Sequence, residues 1–245
     1  IRVFEPSGRT YRAANYPVET TQPKRLYLDG GGKLSASPPA ANGSDTVFYT
    51  GLSNVCTRST QQFAAGGIPP QICGGHLWSP TPGPGQIAYT SEPLTAPMTL
   101  AGPIGVTIHA TSNRPETIWA VTIDDIAPNG KAVELSGGAL LGSLREVDTA
   151  RSWPAPNGGW LLPRHPLTAA SQKQVPTDAV TRYDIEVRPV FGTIAAGHRI
   201  RVRIGTGDLP HLIPPPSALP SLLGGIYGVQ HSPASVSWVD LAVAK

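Results

Sequence analysis

The chain has 245 residues, enough to bury one sizeable core, and only 14 % of them are charged. Its net charge of +3 is not gathered into basic–aromatic clusters, which leaves nucleic-acid binding without support, and no apolar run is long enough for a transmembrane helix. Glycine and proline, 27 of each, are scattered along the chain as turn formers and not collected into a low-complexity tract.

Residues 1–4, Ile-Arg-Val-Phe, read as a strand that opens without an initiator Met or a signal peptide, as expected of a mature or excised piece of a longer protein. A polar stretch leads to Tyr16-Pro17, and residues 24–28 form a second strand. Gly30-Gly31-Gly32 has no following helix on which to bind phosphate, so it reads as a turn, with residues 33–35 as the return. Residues 46–50 are another short strand. Cys56 and Cys73 then flank a loop containing Gly and Pro. Two reduced structural thiols are the plainest reading. A lone Cys pair closing a flexible loop favours a disulfide, worth about 3 kcal/mol, in an exported protein. No His stands at ligand spacing from the pair, so it makes no zinc site. Gly74-Gly75-His76-Leu77-Trp78 follows, where Trp78 is either a core residue or an exposed aromatic contact. Residues 80–85 are too rich in Pro and Gly for regular structure.

From residue 87 strands recur at short intervals: 87–90, 98–100, 106–110 after the break Gly102-Pro103, and 118–123. Pro128-Asn129-Gly130 marks a hairpin turn between 123–126 and 131–135, and 139–145 reads as a further strand. Residues 146–180, with Trp153 and Trp160, read as a long crossover loop. Tyr183, Ile185 and Val187 alternate before Pro189. The sharpest alternation lies in 196–210: Ile200, Val202 and Ile204 point one way, and Arg199, Arg201 and Arg203 the other. That arginine face is either solvated or a docking face for carboxylates and carbonyls of a partner domain. Residues 211–228 read as a Pro/Gly-rich loop, and 236–243 as a closing strand. Helical periodicity is nowhere sustained. About ten to thirteen short strands with long crossovers predict an all-β, antiparallel jelly-roll β-sandwich.

The chain carries no catalytic constellation of its own. Gly51-Leu-Ser53-Asn-Val lacks the last glycine of a nucleophile elbow. His76, His109, His165, His198, His211 and His231 stand singly, and Asp124 and Asp125, neighbours on a strand, point to opposite faces. Neither a metal nor a cofactor is expected.

Four ordered segments carry a resemblance. Residues 196–210, Ala-Gly-His-Arg-Ile-Arg-Val-Arg-Ile-Gly-Thr-Gly-Asp-Leu-Pro, are similar to a Gly-His-Arg…Ser-Ser-x-Phe-Pro signature. Residues 25–35 (Arg-Leu-Tyr-Leu-Asp-Gly-Gly-Gly-Lys-Leu-Ser), 89–102 (opening Tyr-Thr-Ser-Glu-Pro-Leu) and 119–130 (ending Asp-Ile-Ala-Pro-Asn-Gly) match in order. Together they resemble the C-terminal domain of the cocaine esterase / glutaryl-acylase / X-Pro dipeptidyl-peptidase (CocE/NonD-type) serine hydrolases. The resemblance implies a jelly roll of galactose-binding-like topology. It would pack on an upstream α/β-hydrolase domain that carries the Ser, Asp and His, and close one side of the acyl pocket. Residues 1–24 would then be the link from that domain and 25–245 the sandwich. By similarity to a Gly-Gly loop of esterase members, Leu77 and Trp78 would wall the pocket, with Arg199, Arg201 and Arg203 as the docking face. The family's acidic pair before the 119 strand is here Pro115-Glu116, its usual link Trp is Tyr11, and the Cys pair is not a family signature.

Two functions follow as expectations. One is a non-catalytic domain of an exported serine hydrolase acting on a small acyl ester or amide. The other is a stand-alone carbohydrate-binding or adhesion module, with Trp78, Trp153 and Trp160 as loop aromatics on which a sugar could stack.

Overall fold

The computed structural model describes residues 2–244 apart from 6, 7, 17, 19, 52–64, 66, 68–84 and 209–211. In chain order its strands are β1 (Arg2–Phe4), β2 (Thr10–Arg12), β3 (Thr21–Asp29), β4 (Lys33–Ser35), β5 (Ser44–Phe48), β6 (Gln86–Ser91), β7 (Met98–Ser112), β8 (Ile118–Ile126) and β9 (Ala132–Leu141). They continue with β10 (Trp153–Ala155), β11 (Gly159–Leu162), β12 (Thr181–Ile194), β13 (Arg199–Gly205), β14 (Ile226–Gln230) and β15 (Trp238–Ala244). The one α-helical element among the described residues is the single turn Leu219–Leu222, and no helix is long and apolar enough to cross a membrane.

Two layers face each other. In the first, β7 pairs along one side with β12, from Ala110↔Thr181 to Met98↔Ile194. Its other side is shared by β15 and β14, beyond which lie β3 and β5. The second layer runs β6–β13–β8–β9, antiparallel throughout. β4 pairs antiparallel with β3 and parallel with β6, joining the layers along one edge. The result is the antiparallel jelly-roll sandwich expected, with a single parallel pair, among the described residues, at the seam.

Alternation builds the core. Ile200, Val202 and Ile204 of β13 and Trp119, Val121 and Ile123 of β8 are inaccessible to solvent. They meet Ile104, Ile108, Ile185 and Val187 from the opposite layer. Trp119 lies between Tyr183 of β12 and Tyr227 of β14, with ring centroids 5.4 and 5.2 Å away in tilted geometry.

Four expectations about the strands are corrected. Residues 98–112 form one strand, because Pro103 sits opposite a bulge: the register passes from Ile104↔Val187 to Gly102↔Val190, so Arg188 and Pro189 together face Pro103. A proline, which has no N–H to give, is tolerated at such an irregularity, and the same bulge carries β12 past Pro189 to Ile194. The strand read at 139–145 is the end of β9, and its last residues turn into a short 3₁₀ segment, Gly142–Leu144. Within 146–180 the β10–β11 hairpin folds back on the first layer, where Ala155 and Leu161 pack on Ala242. The approach is so close that a Cβ on Gly105 of β7 would lie 1.7 Å from the Trp160 carbonyl oxygen. The loop read at 211–228 ends in β14, whose Tyr227 and Val229 are fully buried.

The amino-terminal hairpin β1–β2 leans on β12. The Thr193 hydroxyl donates to Glu5 Oε1 at 3.2 Å, and Tyr16 packs on Trp153 at 5.4 Å and Phe191 at 6.1 Å. β3 begins at Thr21, within the stretch read as the link.

Candidate functional site at the arginine strand

Strand β13 lies between β6 and β8, with Arg201 directly opposite Asp124 and Arg203 opposite Thr122. The Asp124 carboxylate is fully buried and holds two arginines: Arg201 Nε and Arg203 Nε both donate to Oδ2 at 2.8 Å, and Arg203 Nη2 donates to Oδ1 at 3.1 Å. Arg203 Nη2 also donates to Glu134 Oε2 at 2.9 Å. Burial pushes the Glu134 carboxyl above the usual carboxylate range, against the pull of Arg203. Burial also works against the Arg203 charge, but Asp124 and then Glu134 outweigh it, so the guanidinium pKa is raised further. Beside this network a cavity of about 470 Å³ opens between Gln86, Thr122, Ser136, Arg188 and Asp208.

The three arginines read as one face therefore differ. Arg203 is 2 % exposed and Arg201 12 %, and both are engaged within the domain. Arg199 is 41 % exposed, donates to the Ser91 carbonyl at 2.9 Å and lies 3.7 Å from Glu92. His198, next to Gly197 in the turn before β13, bonds Asp125 through Nδ1 at 2.7 Å, so Asp124 and Asp125 serve different partners.

The far end of β13 is a clamp. Thr206 Oγ1 accepts from Thr50 N and donates to the Phe48 carbonyl, each at 3.0 Å, while Thr206 N donates to the Gly85 carbonyl at 3.2 Å. A Cβ on Gly207 would lie 2.6 Å from the Gly51 carbonyl carbon, so only glycine permits this approach. The described residues on either side of 52–84, Thr50–Gly51 and Gly85, thus meet at two residues at the tip of the central strand. Leu77, Trp78, Cys56 and Cys73 fall in that segment, outside the described residues.

Pattern reasoning named Asp124 but missed its arginine partners, and it missed Glu134 altogether. Glu134 sits on the solvent-side parity of β9, and the β8–β9 register shift between Ile123 and Asp124 is invisible in sequence. A second network was missed on the first layer. Arg25 pairs Asp240 through Nε (2.8 Å) and Nη2 (2.9 Å), lies over Trp238 at 4.4 Å, and donates to the Pro156 and Asn157 carbonyls of the β10–β11 turn. Trp153 and Trp160, expected as loop aromatics, are half-buried in that hairpin. No group of metal-ligating side chains occurs among the described residues.

Residues 5–222 match the profile of the X-Pro dipeptidyl-peptidase C-terminal non-catalytic domain. The chain belongs to this family. Two proteins named as candidate serine esterases, from Mycobacterium bovis (strain ATCC BAA-935 / AF2122/97) and Mycobacterium tuberculosis (strain CDC 1551 / Oshkosh), are each 24 % identical over 233 residues. The match covers 94 % of this chain but 34 % of either relative, so the chain spans about a third of their length. Among solved structures, an aminopeptidase from a marine sediment Thaumarchaeota archaeon superposes with a TM-score of 0.72 at 18 % identity, over 100 % of this chain and 40 % of that one. An α-amino acid ester hydrolase gives 0.69 at 19 % identity, over 99 % and 40 %. A CocE/NonD family hydrolase from Staphylococcus aureus gives 0.71 at 13 % identity, over 99 % and 41 %. At these identities the structural likeness carries the fold alone.

Proposed function

We propose that this domain packs on an upstream α/β-hydrolase catalytic domain of an exported serine hydrolase and closes one side of its acyl pocket, the substrate being a small acyl ester or amide. The observation that carries the reading is the clamp at Thr206–Gly207. The described residues flanking the segment that bears Leu77 and Trp78 meet at the tip of a central strand hydrogen-bonded on both sides, a rigid base for a pocket wall. The serine-esterase names of the mycobacterial relatives support a hydrolase that acts on acyl groups. Docking uses the clamp end of β13 together with the exposed guanidinium of Arg199. The jelly roll is taken as galactose-binding-like, and Cys56 and Cys73 as a disulfide within the same segment.

The test is an acyl-length series on the hydrolase that carries this chain, with Leu77→Ala and Trp78→Ala. Losing part of an apolar wall should raise KM by about 10-fold for the best acyl length while kcat holds within about twofold. Unchanged KM at every length overturns the pocket-wall role. For the disulfide, Cys56 and Cys73 should resist a thiol reagent until reduced. Two free thiols in protein from an oxidising compartment would remove it.

A further inference from the structure

Glu116 lies at the turn between β7 and β8, and its side chain is among the most buried charges of the domain at 5 % exposure. Its Oε1 accepts the backbone N–H of Thr117 at 2.9 Å and that of Ser143 at 2.8 Å. Its Oε2 accepts no bond, and no cation among the described residues pairs with it. Arg145 donates instead to the carbonyls of Gly142, Lys173 and Gln174, tying the Gly142–Leu144 turn to the segment that follows it. A carboxylate largely withdrawn from water, with one oxygen open to solvent and without a protein donor, gains from a cationic partner at that oxygen.

The bare oxygen is not enclosed by protein. Glu116 forms part of the wall of a cavity of about 440 Å³ whose other polar lining groups are neutral: Ser143, Gln172, Gln174, Ser217 and Ser221. It is the sole formal charge in that wall among the described residues. One carboxylate without a second acidic, His or Cys side chain is too poor a donor set for a divalent metal. It does suit an ammonium group. Of the three N–H donors of an ammonium, one can meet Oε2 and the others the serine hydroxyls and glutamine carbonyls. We infer that this cavity binds a primary ammonium group borne by a small polar molecule, with Glu116 as its counter-ion. The cavity volume suits an amino-acid amide or an amino sugar. The inference stands apart from the acyl-pocket reading, and each can fail alone.

The test titrates the 245-residue chain with glycinamide and with glucosamine, following the Thr117 and Ser143 amide resonances. N-acetylglycinamide and N-acetylglucosamine serve as uncharged controls. Saturable shifts at both amides with an ammonium probe, and none with its acetylated control, are expected; which probe acts tells a peptide-type amine from an amino sugar. Glu116→Gln keeps an oxygen for the two N–H bonds and should weaken binding by about 10-fold or more. Ser217→Lys leaves Glu116 in place, supplies the cavity with its own ammonium, and should abolish binding. Silence with both ammonium probes, an equal response to the acetylated controls, or a response untouched by Ser217→Lys overturns the inference.

Discussion

Asp124 shows how much one carboxylate can organise. It is inaccessible to solvent and accepts three N–H bonds from Arg201 and Arg203. Replacing it with Ala removes the buried carboxylate that Arg201 and Arg203 share and leaves Glu134 as the carboxylate on Arg203, so Asp124→Ala should cost about 3–5 kcal/mol in urea unfolding. A loss below about 1 kcal/mol would mean the network is solvated. Glu134 adds a pH dependence of known sign. Its folded pKa is raised above the ordinary value of 4.5, so the native state binds more protons than the unfolded chain between those two values. The contribution of this group to stability is therefore full below about pH 4.5 and is lost as pH rises through its folded pKa. Glu134→Gln should flatten that decline, read as a shallower fall in unfolding free energy from weakly acidic to neutral pH; an unchanged slope would place the titration elsewhere. Residue by residue, period-two alternation placed Ile200, Val202, Ile204 and the three arginines on their faces. It could not tell a solvated arginine from a buried one. The difference lies in Asp124 and Glu134, far away in sequence and brought near by β-pairing.

At the scale of elements, close backbone approach decides where segments sit. The β10–β11 hairpin touches β7 at Gly105, where a side chain has no room. Gly105→Ala should lift the hairpin at a cost of about 1–3 kcal/mol and open 153–162 to proteolysis; an unaltered cleavage pattern would contradict this packing. At the clamp, Thr206→Val removes both the donor to Phe48 O and the acceptor of the Thr50 N–H, for an expected loss of about 1–3 kcal/mol. Strands with several alternating residues, such as β8, β12 and β13, were legible. β14 was not: it buries only Tyr227 and Val229 and follows a Gly- and Pro-rich run, too short for a period to show. The hairpin within 146–180 was hidden for a related reason. Its three- and four-residue strands gain stability from packing on Ala242 and from Arg25, not from their own pattern.

At the scale of the molecule, one jelly roll with a hydrogen-bonded seam holds two buried charge networks on its outer faces and the Thr206–Gly207 clamp at one end. The fold class and the family motifs could be read directly, since strand alternation and turn residues are local. The candidate site could be read only in part, because its carboxylates and its Thr206 clamp depend on tertiary pairing. The isolated chain should turn over no chromogenic ester, and serine-dependent hydrolysis in a clean preparation would contradict its assignment as a non-catalytic domain. The most direct test of the docking account is amide hydrogen exchange on this chain, alone and joined to the catalytic domain. Protection gained on joining should concentrate at Thr50–Gly51, 52–84 and the Gly205–Gly207 tip. Protection absent there, or confined to the β5–β14 edge, would contradict it.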